Sequence, residues 1–449
     1  MRLRQLLSAA LLAWGWISSL PALADPPLAK VSPTIPDTPA GRTLRAWLDA
    51  FNSGDPAKFQ AYRAIYEPKS SGDGWASFRE QTGGFELLSV DKSERLRISF
   101  QVKEKSSARI ARGRLDVTDG DPPHVAKLWL RAIPAGMSAA AMDVKIDAAI
   151  RKRVIDGAIT SLLGEYVFLD KAKKMVEALR THEKEGAYDA IVDAQEFASL
   201  LSDHLQEVTR DPHLRVDFSP QVLPKDLDAP DPKAQAEANS QLERDNCGFE
   251  KVERLANNVG YVKLDMFGDA AVCGPTAAAA MGFLAHVDAL IFDLRENGGG
   301  DPAMVAFLSS YLFDEPTHLN DLYNRKRDST QQYWTLPYIP GKRFADKPVF
   351  VLTSGMTFSA AEEFSYNLKS LKRATIVGEL TAGGAHPTDG RRLDDHFLLM
   401  LPVERAVNPI TKTDWEGVGV IPDVKVAARD ALDAAKKLAA DKLKSTTAQ

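Results

Sequence analysis

Three stretches of this sequence place glycine, hydroxyl or carboxylate residues in patterns that suit catalysis. The first is Asp293-Leu294-Arg295-Glu296-Asn297-Gly298-Gly299-Gly300, where an apolar, strand-like run beginning at Ala289 leads into three consecutive glycines. Glycine reaches positive φ without a Cβ penalty, so such a segment can turn backbone N–H groups outward to hold a developing oxyanion. A plain strand-to-helix turn would also use glycine. The second is Thr353-Ser354-Gly355-Met356-Thr357-Phe358-Ser359-Ala360-Ala361-Glu362-Glu363-Phe364. A serine placed where a strand turns into a helix is presented by the turn and lies at the positive end of the helix dipole, as a nucleophile requires. The same pattern suits a helix N-cap, with Glu362 completing a capping box. The third is Trp415-Glu416-Gly417-Val418-Gly419-Val420-Ile421-Pro422-Asp423. A carboxylate in a glycine-rich loop between apolar residues can orient a histidine, or it is a solvated turn residue.

These residues need a scaffold, and the patterning around them supplies one. From residue 247 onward strands and helices alternate, which is the order of an α/β sheet core. Apolar runs predict strands over 259–264, 289–294, 348–353, 374–378 and 397–403. Helices are expected from Pro275 to about 286, over 304–313 behind the Asp301-Pro302 cap, and from about Ser359. A charged, exposed helix is expected from 430. Upstream, Ile146, Ile150, Val154 and Ala158 mark one helix face, and Phe197, Leu200, Leu201 and Leu205 mark another capped by Asp193. This small bundle, 143–218, ends in Arg210-Asp211-Pro212-His213-Leu214. Residues 219–246 carry four prolines and many charges and read as a linker or surface loop. Nearer the start, Thr38 and Pro39 open a helix with Leu44, Trp47, Leu48 and Phe51 on one face. Alternating strands follow near 85–90, 96–102, 110–117 and 125–133, an α+β order.

Taken in order, DLRxNGGG, TSxxTFSAAE and WEGVGVxPD resemble the tail-specific (C-terminal processing) protease family. The branch they are most similar to includes interphotoreceptor retinoid-binding protein and, more distantly, tricorn protease. The resemblance covers 247–426, with 143–218 as the bundle that usually precedes it. It implies a spiral ββα core of the crotonase and Clp-protease type. It also implies Ser359 as nucleophile, with backbone N–H of about Gly299 and of Ala360 as oxyanion donors. Many family members place a lysine in a Gly-Lys-Gly sequence after the serine. Here the matching stretch is Thr381-Ala382-Gly383-Gly384-Ala385-His386, with glycine at that position. Tricorn-like members instead use a histidine before the core and a glutamate after it, which His213 and Glu416 match. The implied mechanism is serine attack with His213 as general base and Glu416 holding the imidazole or an intervening group. His386 is the rival base. The peptide-binding domain common in the family has no counterpart in the segment where it would be inserted. Residues 38–135 bear a looser resemblance to the cone-shaped fold of nuclear transport factor and ketosteroid isomerase.

The 449 residues are too many for one ordinary domain, and 44% hydrophobic with 26% charged residues is ordinary for a soluble globular chain. A net charge of -5 without a long basic run argues against nucleic acid as a partner. Arg2 and Arg4, an uncharged apolar segment over 6–20, and Ala22-Leu23-Ala24 form a secretory signal pattern, 1–24. After it no apolar stretch is long enough to span a bilayer. The two cysteines, Cys247 and Cys273, are candidates for one disulfide in an exported protein. Neither has metal-ligand spacing, so no metal or other cofactor is expected. The expected organisation is a signal peptide (1–24), an extended segment (25–37), an accessory domain (38–135), the bundle (143–218), a linker (219–246), a serine-hydrolase core (247–430) and a helical tail (431–449). The expected function is an exported, periplasmic or extracellular, serine peptidase acting on peptides or proteins. The alternatives are a non-catalytic binder of an apolar ligand or a scaffold on the same fold.

Overall fold

The computed structural model describes residues 33–68, 75–133, 137, 144–227 and 231–447; the signal-peptide pattern lies outside the described residues. The chain forms two compact units, one within 14–143 and the other from 144 onward. In the first, α1 (Pro39–Ser53), α2 (Pro56–Tyr66) and α3 (Trp75–Thr82) precede β1 (Phe85–Ser93), β2 (Arg97–Glu104), β3 (Ile110–Val117) and β4 (Val125–Ala132). The Thr38 side chain accepts the Gly41 N–H, Pro39 opens α1, and Gly54 closes it at φ 65°. The four strands pair in sequence order as an antiparallel sheet. Their alternation buries Ile98, Phe100 and Val102 together with Leu44, Trp47 and Phe51 of α1.

The second unit opens with a bundle of α4 (Ala148–Glu165), α5 (Leu169–Lys184) and α6 (Ala194–Thr209), with Asp147 and Asp193 capping α4 and α6. There follow β5 (Arg215–Phe218), α7 (Pro232–Arg244), β6 (Phe249–Leu255), β7 (Val259–Leu264), α8 (Ala270–Phe283), β8 (Ala289–Asp293) and α9 (Pro302–Ser309). Next come β9 (His318–Asn324), β10 (Ser329–Trp334), β11 (Val349–Thr353), α10 (Ala360–Ser370) and β12 (Thr375–Gly378). The chain ends with β13 (Thr388–Asp394), β14 (Phe397–Pro402), β15 (Glu404–Val407), β16 (Val424–Lys425) and α11 (Ala431–Thr447).

The main sheet has the order β16-β12-β11-β8-β7-β6. It is parallel except where β6 meets β7. Both β8 and β11 are buried along their whole length, which is why each reads as an unbroken apolar run. Residues of α8, α9 and α10 build the core on one face, and Ala431, Ala435 and Ala439 of α11 cover the other. Two smaller sheets, β10-β9-β15 and β13-β14-β5, complete the unit. Because β5 pairs with β14, the chain leaving the bundle at His213 is fastened to the core.

Three expectations are corrected. Residues 219–246 are not all loop, since α7 forms behind Asp231, whose side chain accepts the Lys233 N–H. It has no fully buried residue, so it leaves no apolar stripe to read. Pro275 does not open α8 but lies inside it, because Asp269 caps the helix at Ala270. The C-terminal helix is not simply exposed, since its alanines at i, i+4 and i+8 lie against the main sheet. Among the described residues no helix is long and apolar enough to cross a membrane.

Candidate active site

Strands β8 and β11 are parallel neighbours, with Asp293 opposite Leu352, so the segments that follow them emerge side by side. That is where a sheet of this kind places its chemistry. The two turns are tied together: Thr357 Oγ1 donates to the Leu294 carbonyl at 2.8 Å, and the Phe358 N–H donates to the Asn297 carbonyl at 3.0 Å. Ser359 then adopts φ 55° and ψ −118° at the head of α10. A non-glycine residue there is strained by about 1–3 kcal/mol and persists only where its surroundings force it. Gly299, at φ 103°, is one of those surroundings, because a Cβ on it would lie 2.7 Å from Ser359 Cβ and 2.9 Å from the Phe358 carbonyl oxygen.

The two expected oxyanion donors differ in their surroundings. Ala360 is the first residue of α10, so its N–H has no acceptor within the helix. The Gly299 N–H instead donates to Asn297 Oδ1 at 2.8 Å, and Asn297 Nδ2 donates to the Leu264 carbonyl at 2.7 Å. Asn297 is fully buried and acts as a peg inside the glycine turn.

Glu362 connects Ser359 to the 381–384 segment, which has glycine in place of the family's lysine. Its Oε2 accepts the Ser359 N–H at 2.9 Å and the Gly384 N–H at 2.8 Å. Its Oε1 accepts the Gly383 N–H at 2.7 Å and the Thr381 hydroxyl. Burial pushes this carboxyl up, and the four donors pull it back toward the ionised form. The Trp415–Gly417 stretch holds the segment from its far side. Trp415 Nε1 donates to the Gly384 carbonyl at 2.7 Å, and the Gly417 N–H donates to the Gly383 carbonyl at 2.8 Å.

His213 lies on the near side. Its ring stacks on Phe358, with centroids 4.5 Å apart, and a Cβ on Gly384 would lie 2.5 Å from His213 Cε1. So the residue before Ser359, the glycine beside it and the imidazole share one small space. Burial pushes His213 down to about 4, so it is a neutral base at ordinary pH. Its Nδ1 is buried, has no hydrogen bond among the described residues, and lies 3.8 Å from Asp211 Oδ1.

Glu416 does not meet His213. It accepts the Ala385 N–H at 2.6 Å and lies 3.4 Å from His386 Nδ1. His386 Nδ1 is bonded to Asp211 Oδ2 at 2.6 Å, and its Nε2 is buried without a partner among the described residues. Burial pulls His386 down, but the bond to Asp211 and the neighbouring carboxylates outweigh it and hold the imidazole above its ordinary value. Burial raises Asp211 and the two histidines lower it, with a net shift downward. Burial and the Asp211 charge push Glu416 up to about 7. Asp211, His386 and Glu416 offer ligand atoms within 4.8 Å of one another. A 2.6 Å contact between His386 Nδ1 and Asp211 Oδ2 has the length of a charge-assisted hydrogen bond, which puts a proton between them rather than an ion.

Lys369 takes no part in this, since its Nζ is bonded to Asp423 at 2.6 Å and to the Ile421 carbonyl at 2.7 Å. Cys247 and Cys273 are joined in a disulfide. Sequence reasoning assigned no role to Asp211, Asn297 or the bonds of Glu362 beyond its cap. The one signal for Asp211 was its place two residues before His213, where an Asx turn forms: Asp211 Oδ1 accepts the His213 N–H at 3.0 Å.

Residues 258–426 match the family described as Peptidase family S41, and residues 139–251 match the N-terminal domain of Peptidase_S41 in eukaryotic IRBP. The chain carries peptidase S41 family domains. The chain is 29% identical over 170 residues to the carboxyl-terminal-processing protease of Synechocystis, covering 38% of each chain. It is 33% identical over 114 residues to the tail-specific protease of Haemophilus influenzae, covering 24% of this chain and 15% of that one. The matches therefore span well under two thirds of these relatives' own length. A putative peptidase from Parabacteroides merdae of known structure is 21% identical, with a TM-score of 0.46, over 64% of this chain and 96% of that one.

Proposed function

We propose that this S41 chain is an exported serine peptidase with Ser359 as nucleophile and His213 as general base, built on a crotonase-like core. The observation that carries the reading is Glu362 accepting both the Ser359 N–H and the Gly384 N–H, with Gly299 packed on Ser359, Gly384 packed on His213, and Ser359 in a strained backbone conformation. Ser359 Oγ attacks the substrate carbonyl carbon while His213 Nε2 takes the hydroxyl proton. The oxyanion is received by the Ala360 N–H, and by the Gly299 N–H once Asn297 releases it. The protonated His213 gives its proton to the leaving amine, and the acyl group on Ser359 is then hydrolysed by water through the same base. Glu416 acts at a distance, through His386. Export is supported by the leader pattern in 1–24 and by the Cys247–Cys273 bridge, which suits an oxidising compartment. The substrate is a peptide or protein, as the family relationship suggests.

A second reading, binding of an apolar ligand without catalysis, is favoured by one feature. The first unit holds a cavity of about 820 Å³ walled in part by Trp47, Phe51, Phe59, Trp75, Phe78 and Leu128. Fluorophosphonate labelling with mass mapping separates the two. The expected result is label on Ser359, lost in Ser359→Ala and slowed about 10²- to 10⁴-fold in His213→Ala, the usual contribution of a general base. A folded protein that takes no label would overturn the peptidase reading and leave the binder.

A further inference from the structure

The side chain facing His213 is not the glutamate of the third motif but Asp211, and behind Asp211 stands a second imidazole. Asp211 Oδ1 accepts the His213 N–H at 3.0 Å and lies 3.8 Å from His213 Nδ1. Asp211 Oδ2 is bonded to His386 Nδ1 at 2.6 Å, and Tyr166 Oη approaches it at 3.4 Å while bonded to Thr209 Oγ1 at 2.9 Å. Beyond His386 comes Glu416 Oε2, 3.4 Å from the same Nδ1. The four groups thus form a row: His213, Asp211, His386, Glu416. Asp211 and His386 are almost completely buried, and His386 meets Phe168 edge-on at 5.2 Å.

We infer that Asp211 is the positioning residue for the base His213, and that His386, backed by Glu416, is there to hold the Asp211 carboxylate in place. The inference rests on Ser359 and His213 being nucleophile and base. The arrangement follows from how the atoms are used. Glu416 is engaged by the Ala385 N–H and His386, so it has no contact with His213. His386 Nε2 is sealed and bonded to nothing among the described residues, so its proton belongs on Nδ1, between two carboxylates. The nearer carboxylate, Asp211, takes that proton as a hydrogen bond, and its other oxygen is left facing His213. A ring movement of about 1 Å brings His213 Nδ1 into hydrogen-bond range of Asp211 Oδ1, and such bonds often tighten only when substrate binds. The bond fixes the proton of His213 on Nδ1 and leaves Nε2 as the acceptor for the serine proton.

The test uses the full chain and a fluorophosphonate probe, resolving the maximal labelling rate from the probe concentration for half-maximal rate. Asp211→Asn is expected to lower the maximal rate about 10²- to 10⁴-fold with the half-saturating concentration little changed. His386→Leu is expected to lower it about 10- to 100-fold, the loss of one charged hydrogen bond. His386→Asn, whose amide N–H can stand near the Nδ1 position, recovers most of that loss, which a purely space-filling role does not predict. A second readout does not need catalysis. In Ser359→Ala protein the His386 Nδ1 proton gives a far-downfield proton resonance, which is lost when Asp211→Asn or His386→Leu is added and kept when His213→Gln is added. Wild-type labelling rates in a folded Asp211→Asn variant, or a downfield proton that survives Asp211→Asn, overturn the inference. If Asp211→Asn does not fold, the two His386 variants and the resonance decide it. A wild-type chain that takes no label at all sinks the peptidase reading instead, and the resonance then still reports whether the row of four groups exists.

Discussion

At the scale of the residue, His213 is held in a state that water would not give it. Its stacking on Phe358 and its burial keep it neutral down to about pH 4, whereas an ordinary histidine changes charge near 6.5. Between those values the unfolded chain takes up a proton that the folded chain refuses. The His213 contribution to stability therefore falls as pH drops from about 6.5 to about 4, by roughly 3 kcal/mol, and levels off below that. His386 runs the other way: its raised value gives stability that is present below the ordinary histidine value and is lost as pH rises through its folded value. Comparing wild type with His213→Asn isolates the first effect. Urea unfolding of both between pH 7 and pH 4 is expected to show the wild type losing ground to the variant by about 3 kcal/mol. A constant difference across that range would mean that the imidazole is not desolvated as described.

At the scale of the element, the first turn of α10 does two jobs through one side chain. Glu362 closes the helix start at Ser359 and also fastens the 381–384 segment beneath His213. In Glu362→Gln one carboxylate oxygen becomes an amide that cannot accept, so at least one N–H or hydroxyl donor is left buried without a partner. The expected cost is about 2–4 kcal/mol, seen as a lower urea midpoint. Hydrogen exchange at Gly383 and Gly384 should quicken together with a slower labelling of Ser359. An unchanged midpoint with unchanged exchange would separate Glu362 from the site. Elements of this kind were legible to the extent that their signals are local. Strands β7, β8 and β11 announced themselves by apolar runs, and α1 by Thr38, Pro39 and Gly54. The short side strands β5, β15 and β16 carry no such pattern, because their partners lie far along the chain. The same holds at the site. Ser359 and the glycine turn are local patterns, whereas the meeting of Asp211 with His386 joins positions that only the closed β5–β14 pairing brings together.

At the scale of the whole molecule, the glycine turn that shapes the Ser359 side of the site is itself propped by a neighbouring segment. The Gly298 N–H donates to the Asp265 carbonyl at 3.2 Å, the Phe267 N–H to the Gly299 carbonyl at 2.8 Å, and the Asp301 N–H to the Phe267 carbonyl at 2.7 Å. Segment 265–268 is in turn held by the disulfide region, since the Asp265 N–H donates to the Gly248 carbonyl at 2.9 Å and a Cβ on Gly268 would lie 2.6 Å from Cys273 Sγ. The Cys247–Cys273 bridge thus stands two contacts behind the turn, with a sequence separation of 26. Closing a loop of that length restricts the unfolded chain by about 3 kcal/mol. The double variant Cys247→Ser with Cys273→Ala is expected to lose about 3 kcal/mol of stability, seen as a lower urea midpoint, and dithiothreitol should do the same to the wild type. Because the bridge also backs the glycine turn, the labelling of Ser359 should slow in conditions where the reduced protein is still folded. Lost stability with an unaltered labelling rate would assign the bridge to the fold alone. Slower labelling in a folded, reduced chain would tie the activity of the site to an oxidising compartment.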